Sequence, residues 1–466
     1  MLDPRVFRTY DIRALVPDLV DESSEYFGVV GTKDSFQASL EPDGVEQIGR
    51  GLARFLKAKT VAVGADTRLS SPAWKDALMV GLASHGVEVW DLGLTTTDEV
   101  YYASGKYDIP AIMITASHCT KELNGMKIVR AGANVVGMGQ GMEELRDLTM
   151  EDAPSDAIFG TITRKCLQDE YIDHLLQFIE VDKIKPFRIC GDAGNGVGGG
   201  IAAKLIARIP QIQLTKMYFE PDGNFPNHPA NPFETENIHE LIARVPAEGF
   251  DFGVAWDGDA DRVYFLDEKG GYIHGDFITT LIARYFLEKN PGSAIVYDLR
   301  SSWAVRDWVT KEGGIPIPER VGHSFIKGTM RRENAVFGGE VSGHYYFREH
   351  WYADNGYIPL LAVLTMLSRE DIKMSELVAS LGEYFVSGEI NSKVADTGAV
   401  IRAIESKYAD AKISTKDGIS VDYSDWHFNV RPSANDPLVR LNVEARSQAS
   451  MESRRDELLT LIRTSS

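Results

Sequence analysis

Strand-like and helix-like stretches take turns along most of this chain, and that alternation restricts the fold more than any other feature. Through 45–130 a helical pattern, GVEQIGRGLARFLK, is followed by a strand TVAVGAD, a helix PAWKDALMVGLASHG, and strands VEVWDLG and PAIMITAS. Apolar residues at helical period beside short buried β-branched runs give the βαβ signature of a mostly parallel sheet covered by helices. The rhythm restarts at FRICGDAGNGVGGGIAAKLIARI and runs on to the strand DFGVAWDGD, then restarts again at DFITTLIARYFLE and SAIVYDL. After Arg369 the texture changes to alternating strands in GISVDYSDWHFNVR and PLVRLNVEA with a charged helix SRRDELLTLIR, the pattern of a small α+β domain. A length of 466 residues suggests about three domains at roughly 150 residues each, and the pattern raises this to four. The expected fold is α/β: three related mixed α/β domains at 1–158, 159–262 and 263–371, plus a smaller α+β domain at 372–466. The polar, irregular 18–42 segment reads as an extended loop or insertion.

Charge narrows the function classes. Lys and Arg number 49 against 68 Asp and Glu, a net charge of −19, which argues against nucleic acid or anionic lipid as the main partner. A phosphate-bearing ligand must then be met by local basic groups. The three cysteines, Cys119, Cys166 and Cys190, form no C-x-x-C pair, so neither a disulfide framework nor a thiolate zinc site is expected. The N-terminal MLDPRVFRTYDIR carries charges where an export signal needs an apolar core, and the apolar run at 358–367 is too short to span a bilayer. A soluble cytoplasmic protein is expected.

The most informative stretch is Asp257-Gly258-Asp259-Ala260-Asp261-Arg262, directly after the apolar strand FGVAW. Carboxylates at alternate positions repel one another unless a cation is present, and hard oxygen donors suit Mg²⁺ or Ca²⁺. An acidic surface turn is the plain alternative. An EF-hand is excluded because Arg262 stands where that loop needs glycine. Ser117 follows the strand AIMI, and an Asn124-Gly125 turn is expected to bring Lys127 back towards it. A hydroxyl on such a loop can carry a phosphoryl group, or it can be an ordinary turn residue; Cys119 beside His118 is a weaker nucleophile candidate. Gly194-x-Gly196-x-x-Gly199, between a strand and a helix, with Glu220 after the next strand, meets the pattern of a dinucleotide fingerprint and keeps an NAD-dependent oxidoreductase open. Glu340, Ser342 and His344 on a glycine-flanked turn suit sugar hydroxyls. Arg431, Ser433, Asn435 and Arg440 suit a phosphate dianion. His323 and Lys327 lie at a predicted helix start, where an anion is favoured.

In this order the motifs resemble the α-D-phosphohexomutase superfamily. FRTYDIR, GADTRLSS, TASH with NGMK, DGNFPNH, DGDADR, GHSFIK, GEVSGH and RPSANDP each match a family segment, covering residues 7–444. GEVSGH, DGNFPNH and VGHSFIK are most similar to the phosphomannomutase/phosphoglucomutase branch. The resemblance implies four domains around a central cleft and interconversion of hexose 1-phosphate and hexose 6-phosphate, of mannose, glucose or both, through a phosphoserine enzyme and a hexose 1,6-bisphosphate that also serves as activator. It implies Ser117 as the phosphoserine, with Asp257, Asp259 and Asp261 joining it around one Mg²⁺. Arg13, Lys127 and Arg262 would surround the moving group, with Lys127 or a neighbour in proton transfer. His323 and His344 would serve in sugar contact or acid/base work. Tyr10, Lys327, Glu340, Ser342 and His344 would contact the sugar, and Arg431, Ser433, Asn435 and Arg440 the non-reacting phosphate. The implied partners are small sugar phosphates, neither nucleic acid nor membrane, with the chain a monomer or homodimer. A phosphoglucosamine mutase is the nearest rival, although Val341 stands where that branch has Gln. The sequence departs from the family at Ala14, at Cys119-Thr120 and at Ala434-Asn435-Asp436.

Overall fold

The computed structural model describes residues 2–24, 26–27, 38–152, 158–432 and 438–464. Two compact units form, one of Met1–Tyr272 with Gly343–Ser375 and the other of Ile273–Ser342 with Glu376–Ser466. Among the described residues no helix is long and apolar enough to cross a membrane.

The first unit holds two sheets. One runs in the order Ile12–Leu15, Leu123–Arg130, Ala111–Ile114, Thr60–Ala65, Glu88–Leu94, Ile162–Arg164, with parallel pairing through its centre and antiparallel pairing at the first two strands. Its central strand TVAVGA is buried from Val61 onward because helices cover both faces. Helix Pro42–Leu56 opens on proline, buries Val45, Ile48, Leu52 and Phe55 on one stripe, and stops at left-handed Lys57. The other sheet has the order Val263–Leu266, Phe252–Trp256, Phe187–Asp192, Ile212–Met217, with only the first strand antiparallel to its neighbour. Tyr272–Ile273 extends its edge.

In the second unit Ile315–Glu319, Ala294–Asp298 and Phe337–Gly339 pair in parallel. The C-terminal part is an antiparallel sheet built on Leu438–Ala445 and Trp426–Pro432, with Val400, Ile404, Leu458 and Ile462 of two helices in its core. The expected fold class, three mixed α/β portions and a smaller α+β portion, is therefore the observed one.

One local expectation fails. Asn124-Gly125 is not a turn but lies inside strand Leu123–Arg130, opposite Ala14 and Arg13. Asn124 is buried and donates to Ser70 and Ser71. Gly125 is needed for close approach, because a Cβ there would lie 2.1 Å from the Ile12 carbonyl oxygen. Of the 18–42 segment, 25 and 28–37 lie outside the described residues; Ser39 bridges to Leu15.

Candidate active site

Strand Ala111–Ile114 ends beneath Ser117, whose backbone turns left-handed at φ 53°. Its N–H donates to Thr115 Oγ1 at 2.8 Å, and the residue is 2% exposed. The hydroxyl is thereby turned out of the sheet direction, and its Oγ donates to Asp257 Oδ2 at 2.7 Å. Asp257 begins the acidic loop, where the buried strand Phe252–Trp256 ends. The loop turns at left-handed Ala260, which brings carboxylate oxygens of Asp257, Asp259 and Asp261 within 4.8 Å of one another, all buried. The two loops meet backbone to backbone: a Cβ on Gly258 would lie 2.5 Å from the Ser117 carbonyl oxygen.

Basic groups face this cluster. Lys127 Nζ donates to Asp259 Oδ2 at 2.6 Å and also to Asp261 Oδ2. Arg262 lies 3.6 Å from Asp257 Oδ2, and its Nε donates to His344 Nε2 at 3.1 Å. His344 in turn is 3.6 Å from Asp261 Oδ1. Thr97, the first residue of helix Thr97–Tyr107, donates its hydroxyl to Asp259 Oδ2 at 2.5 Å and its N–H to the Asp259 carbonyl. Burial and the Asp259 charge raise Asp257 to about 6 and push Asp261 up as well. Burial opposes the Asp259 charge too, but Lys127 outweighs it and holds that carboxyl low. Lys127 is driven upward by its carboxylate partners against burial, so it is an ammonium.

Burial and mutual repulsion drive Asp257 and Asp261 towards protonation, and Oδ1 of both Asp259 and Asp261 lacks a hydrogen-bond partner. Buried orphan oxygens are costly, and hard acceptors within reach of one another are the donor set of an oxygen-seeking divalent cation. The residues present fit such an ion.

Arg13, carried by strand Ile12–Leu15, pairs with Asp11 and places Nη1 2.6 Å from Cys119 Sγ. The sulfur of Cys119 thus faces a guanidinium. Burial and nearby Arg262 push His118 well down, which keeps it neutral. Tyr10 is half-buried at the bend before that strand.

The remaining predicted residues belong to the second unit. Glu340 follows strand Phe337–Gly339 and accepts from the Gly322 N–H at 2.9 Å, beside His323, the first residue of helix His323–Glu333. Lys327 on that helix is buried and Ser342 half-buried. Arg440 donates to Glu389 Oε1 at 2.8 Å, and Arg431 lies 3.6 Å from Glu389 Oε2. Arg300 donates to the same carboxylate at 2.9 Å and to Asp298 at 2.9 Å, and Asp298 also accepts from the Val341 N–H of the Glu340 turn. Burial opposes the Glu389 charge, but Arg300, Arg440 and Arg431 hold the carboxyl down at about 2. Ser433 and Asn435 lie outside the described residues.

The dinucleotide reading of Gly194, Gly196 and Gly199 does not survive. The N–H groups of Gly194, Asn195, Gly196 and Val197 already bond Asp192, Tyr218, Ala193 and Gly258, so they are not offered to a pyrophosphate. A Cβ on Gly196 would lie 2.6 Å from the Gly258 carbonyl oxygen, and one on Gly199 would lie 2.8 Å from that of Phe219. These glycines serve close packing against the acidic loop and the next strand. Glu220 contributes its backbone carbonyl to Asn195 Nδ2.

Sequence reasoning missed Arg68, Thr97, Arg300 and Glu389. A signal for two of them was present. Asp66-Thr67-Arg68, Asp192-Ala193-Gly194 and Asp298-Leu299-Arg300 each end a central strand, and each aspartate accepts the N–H two residues on, at 3.0, 2.8 and 2.8 Å. That recurrence in three related units marks both arginines.

Four family descriptions match successive stretches of the chain: "Phosphoglucomutase/phosphomannomutase, alpha/beta/alpha domain I" over 24–143, domain II over 169–271, domain III over 274–384, and the C-terminal domain over 389–461. The "Phosphohexose mutases" protein of Xanthomonas campestris is 39% identical over 464 residues, 98% of this chain and 99% of that one. A phosphomannomutase of Escherichia coli K12 is 40% identical over 435 residues, covering 91% and 95% of the two chains. A crystal structure of a phosphoglucomutase/phosphomannomutase family protein from Burkholderia thailandensis superposes with a TM-score of 0.85 at 29% identity, over 100% of this chain and 98% of that one.

Proposed function

The chain belongs to the phosphoglucomutase/phosphomannomutase family, and from that membership we propose how its residues divide the work of a phosphohexomutase that interconverts hexose 1-phosphate and hexose 6-phosphate. Ser117 carries the phosphoryl group. The contact of its Oγ with Asp257 at 2.7 Å, inside a buried cluster of three carboxylates, carries this reading. Asp257, Asp259 and Asp261 would hold one Mg²⁺ together with an oxygen of the phosphorylated serine. Such an ion supplies charge neutralisation on the transferring group.

The chain's own residues do the rest. In the first transfer the bond from phosphorus to Ser117 Oγ breaks as a bond to a sugar hydroxyl oxygen forms, giving the hexose 1,6-bisphosphate. The bisphosphate turns over, and its other phosphoryl group returns to Ser117. Lys127 is protonated, so it stabilises charge and can give a proton but not take one. His344 takes the sugar hydroxyl proton on Nε2 once that nitrogen gives up the hydrogen bond it accepts from Arg262. Arg262 and Arg13 add positive charge around the moving group.

In the second unit Glu340 and Ser342 would take sugar hydroxyls, with His323 and Lys327 beside them. Arg431 and Arg440, with Ser433 and Asn435, would hold the non-reacting phosphate. Tyr10 completes the sugar contacts. We assign domains to 1–158, 159–262, 263–371 and 372–466 and place the enzyme in the cytoplasm as a monomer or homodimer. A coupled assay of mannose, glucose and glucosamine 1-phosphates, with a trace of bisphosphate, tests the reading. Turnover of mannose or glucose 1-phosphate is expected; no turnover of any would overturn it, and turnover of glucosamine 1-phosphate alone would move the chain to the rival branch.

A further inference from the structure

Arg68 is wholly buried, and its side-chain hydrogen bonds reach none of the three aspartates of the acidic cluster. All five of its guanidinium N–H donors are used. Nε donates to Asp66 at 3.2 Å, Nη1 to the carbonyl oxygens of Thr120 at 2.6 Å and Leu123 at 2.8 Å, and Nη2 to those of Ser117 and Cys119, both at 2.7 Å. Asp66 is fixed in turn by Ser71 Oγ at 2.6 Å and by the Arg68 N–H. The Phe225 ring lies over the guanidinium at 5.4 Å.

Four carbonyl groups converging on one planar fork is a demanding arrangement. Left unpaired, each would carry a desolvation cost, and the loop would reorganise to reach water. A planar guanidinium sets their directions together, which an ammonium cannot do. One of the four carbonyls is that of Ser117, whose left-handed backbone turns Oγ towards Asp257. With its donors exhausted, Arg68 has nothing left to offer a substrate.

We infer that Arg68 is the positioning residue of the nucleophile loop: by gathering these carbonyls it fixes the direction of Ser117 Oγ. The inference rests on the reading of Ser117 as phosphoryl carrier. It is tested in the full-length enzyme with R68K and F225L, measuring kcat and KM for hexose 1-phosphate. The rate of phosphate incorporation at Ser117 from hexose 1,6-bisphosphate is followed by intact mass.

Misaiming a nucleophile by about 1 Å costs roughly a hundredfold, so R68K is expected to lose about that much kcat while KM stays within about twofold. Ser117 phosphorylation should slow in parallel. F225L, which keeps the fork but loosens it, is expected to lose about threefold to tenfold in kcat by the same argument. Folded R68K with the kcat of the native enzyme, or with its loss expressed in KM, overturns the inference. If R68K does not fold, F225L decides, and an unchanged kcat there overturns it. S117A separates the two claims: activity surviving in S117A removes the carrier reading, whereas an inactive S117A beside an unaffected R68K removes only the role of Arg68.

Discussion

Ser117 Oγ and Asp257 Oδ2 lie 2.7 Å apart although 140 residues separate them in the chain. A hydroxyl in contact with a buried carboxylate is an ordinary hydrogen bond. Its meaning comes from the two further carboxylates beside it and from Lys127, which bridges Asp259 and Asp261.

Replacing Ser117 with Ala removes the oxygen proposed to carry the phosphoryl group, together with its hydrogen bond to Asp257. A fall in kcat of at least about a thousandfold is expected, together with loss of phosphate from the peptide containing residue 117. A phosphorylated S117A would assign the carrier elsewhere.

Asp259 accepts from Lys127 and Thr97 through Oδ2 and leaves Oδ1 open. D259N keeps the shape but removes the charge that a hard cation requires. Titration calorimetry with MgCl₂ should show affinity falling by at least about a hundredfold, and chelation of the native enzyme should stop turnover until Mg²⁺ is restored. Equal affinities would strike Asp259 from the ligand set.

Gly258 has no room for a Cβ, which would stand 2.5 Å from the Ser117 carbonyl oxygen. G258A must push the acidic loop and the nucleophile loop apart. Overpacking of this kind costs about 1–3 kcal/mol, to be read as a lowered Tm. Activity should fall more than stability does, since the displaced contact is the one between Ser117 and Asp257. A variant as stable and active as the native chain would show that the loops can separate freely.

The side chain of Glu389 is 3% exposed and its carboxyl is held at about 2, against an ordinary 4.5, by three arginines. A carboxyl whose folded pKa is lowered contributes stability that is complete above its unfolded pKa and is lost as pH falls through the folded value. The window is therefore pH 4.5 to 2, and the contribution is on the order of 3 kcal/mol. Urea midpoints at pH 7 and pH 3 should differ less in E389Q than in the native protein, after the general acid sensitivity of the chain is common to both. An identical drop in the two proteins would falsify the contribution of Glu389.

The sheets were legible because each central strand is a short apolar run closed by a polar turn, as in FRICGD and SAIVYDL. Ser117 and the three aspartates could each be placed at the end of a strand, but that they meet around one site was implied only by the family resemblance, since a serine or an acidic run at a strand end is more often an ordinary turn. Helix Thr97–Tyr107 was not foreseen, because its TDEVYYASGKY buries polar Thr97, Asp98 and Glu99 along with its apolar residues, which blurs the amphipathic stripe. The Asn124-Gly125 dipeptide misled because the same pair that favours a hairpin also suits a strand whose neighbour approaches too closely for a side chain. Glu389 could not be found from sequence at all: its meaning depends on three arginines at positions 300, 431 and 440 converging on it.

Gly196, Gly258 and Ser117 come from three distant stretches and stack main chain on main chain, with no space for a methyl between the first two or the last two. A Cβ at either glycine would force the opposing main chain to move. The spacing between the nucleophile loop and the acidic loop is thus set by the absence of side chains rather than by the presence of any.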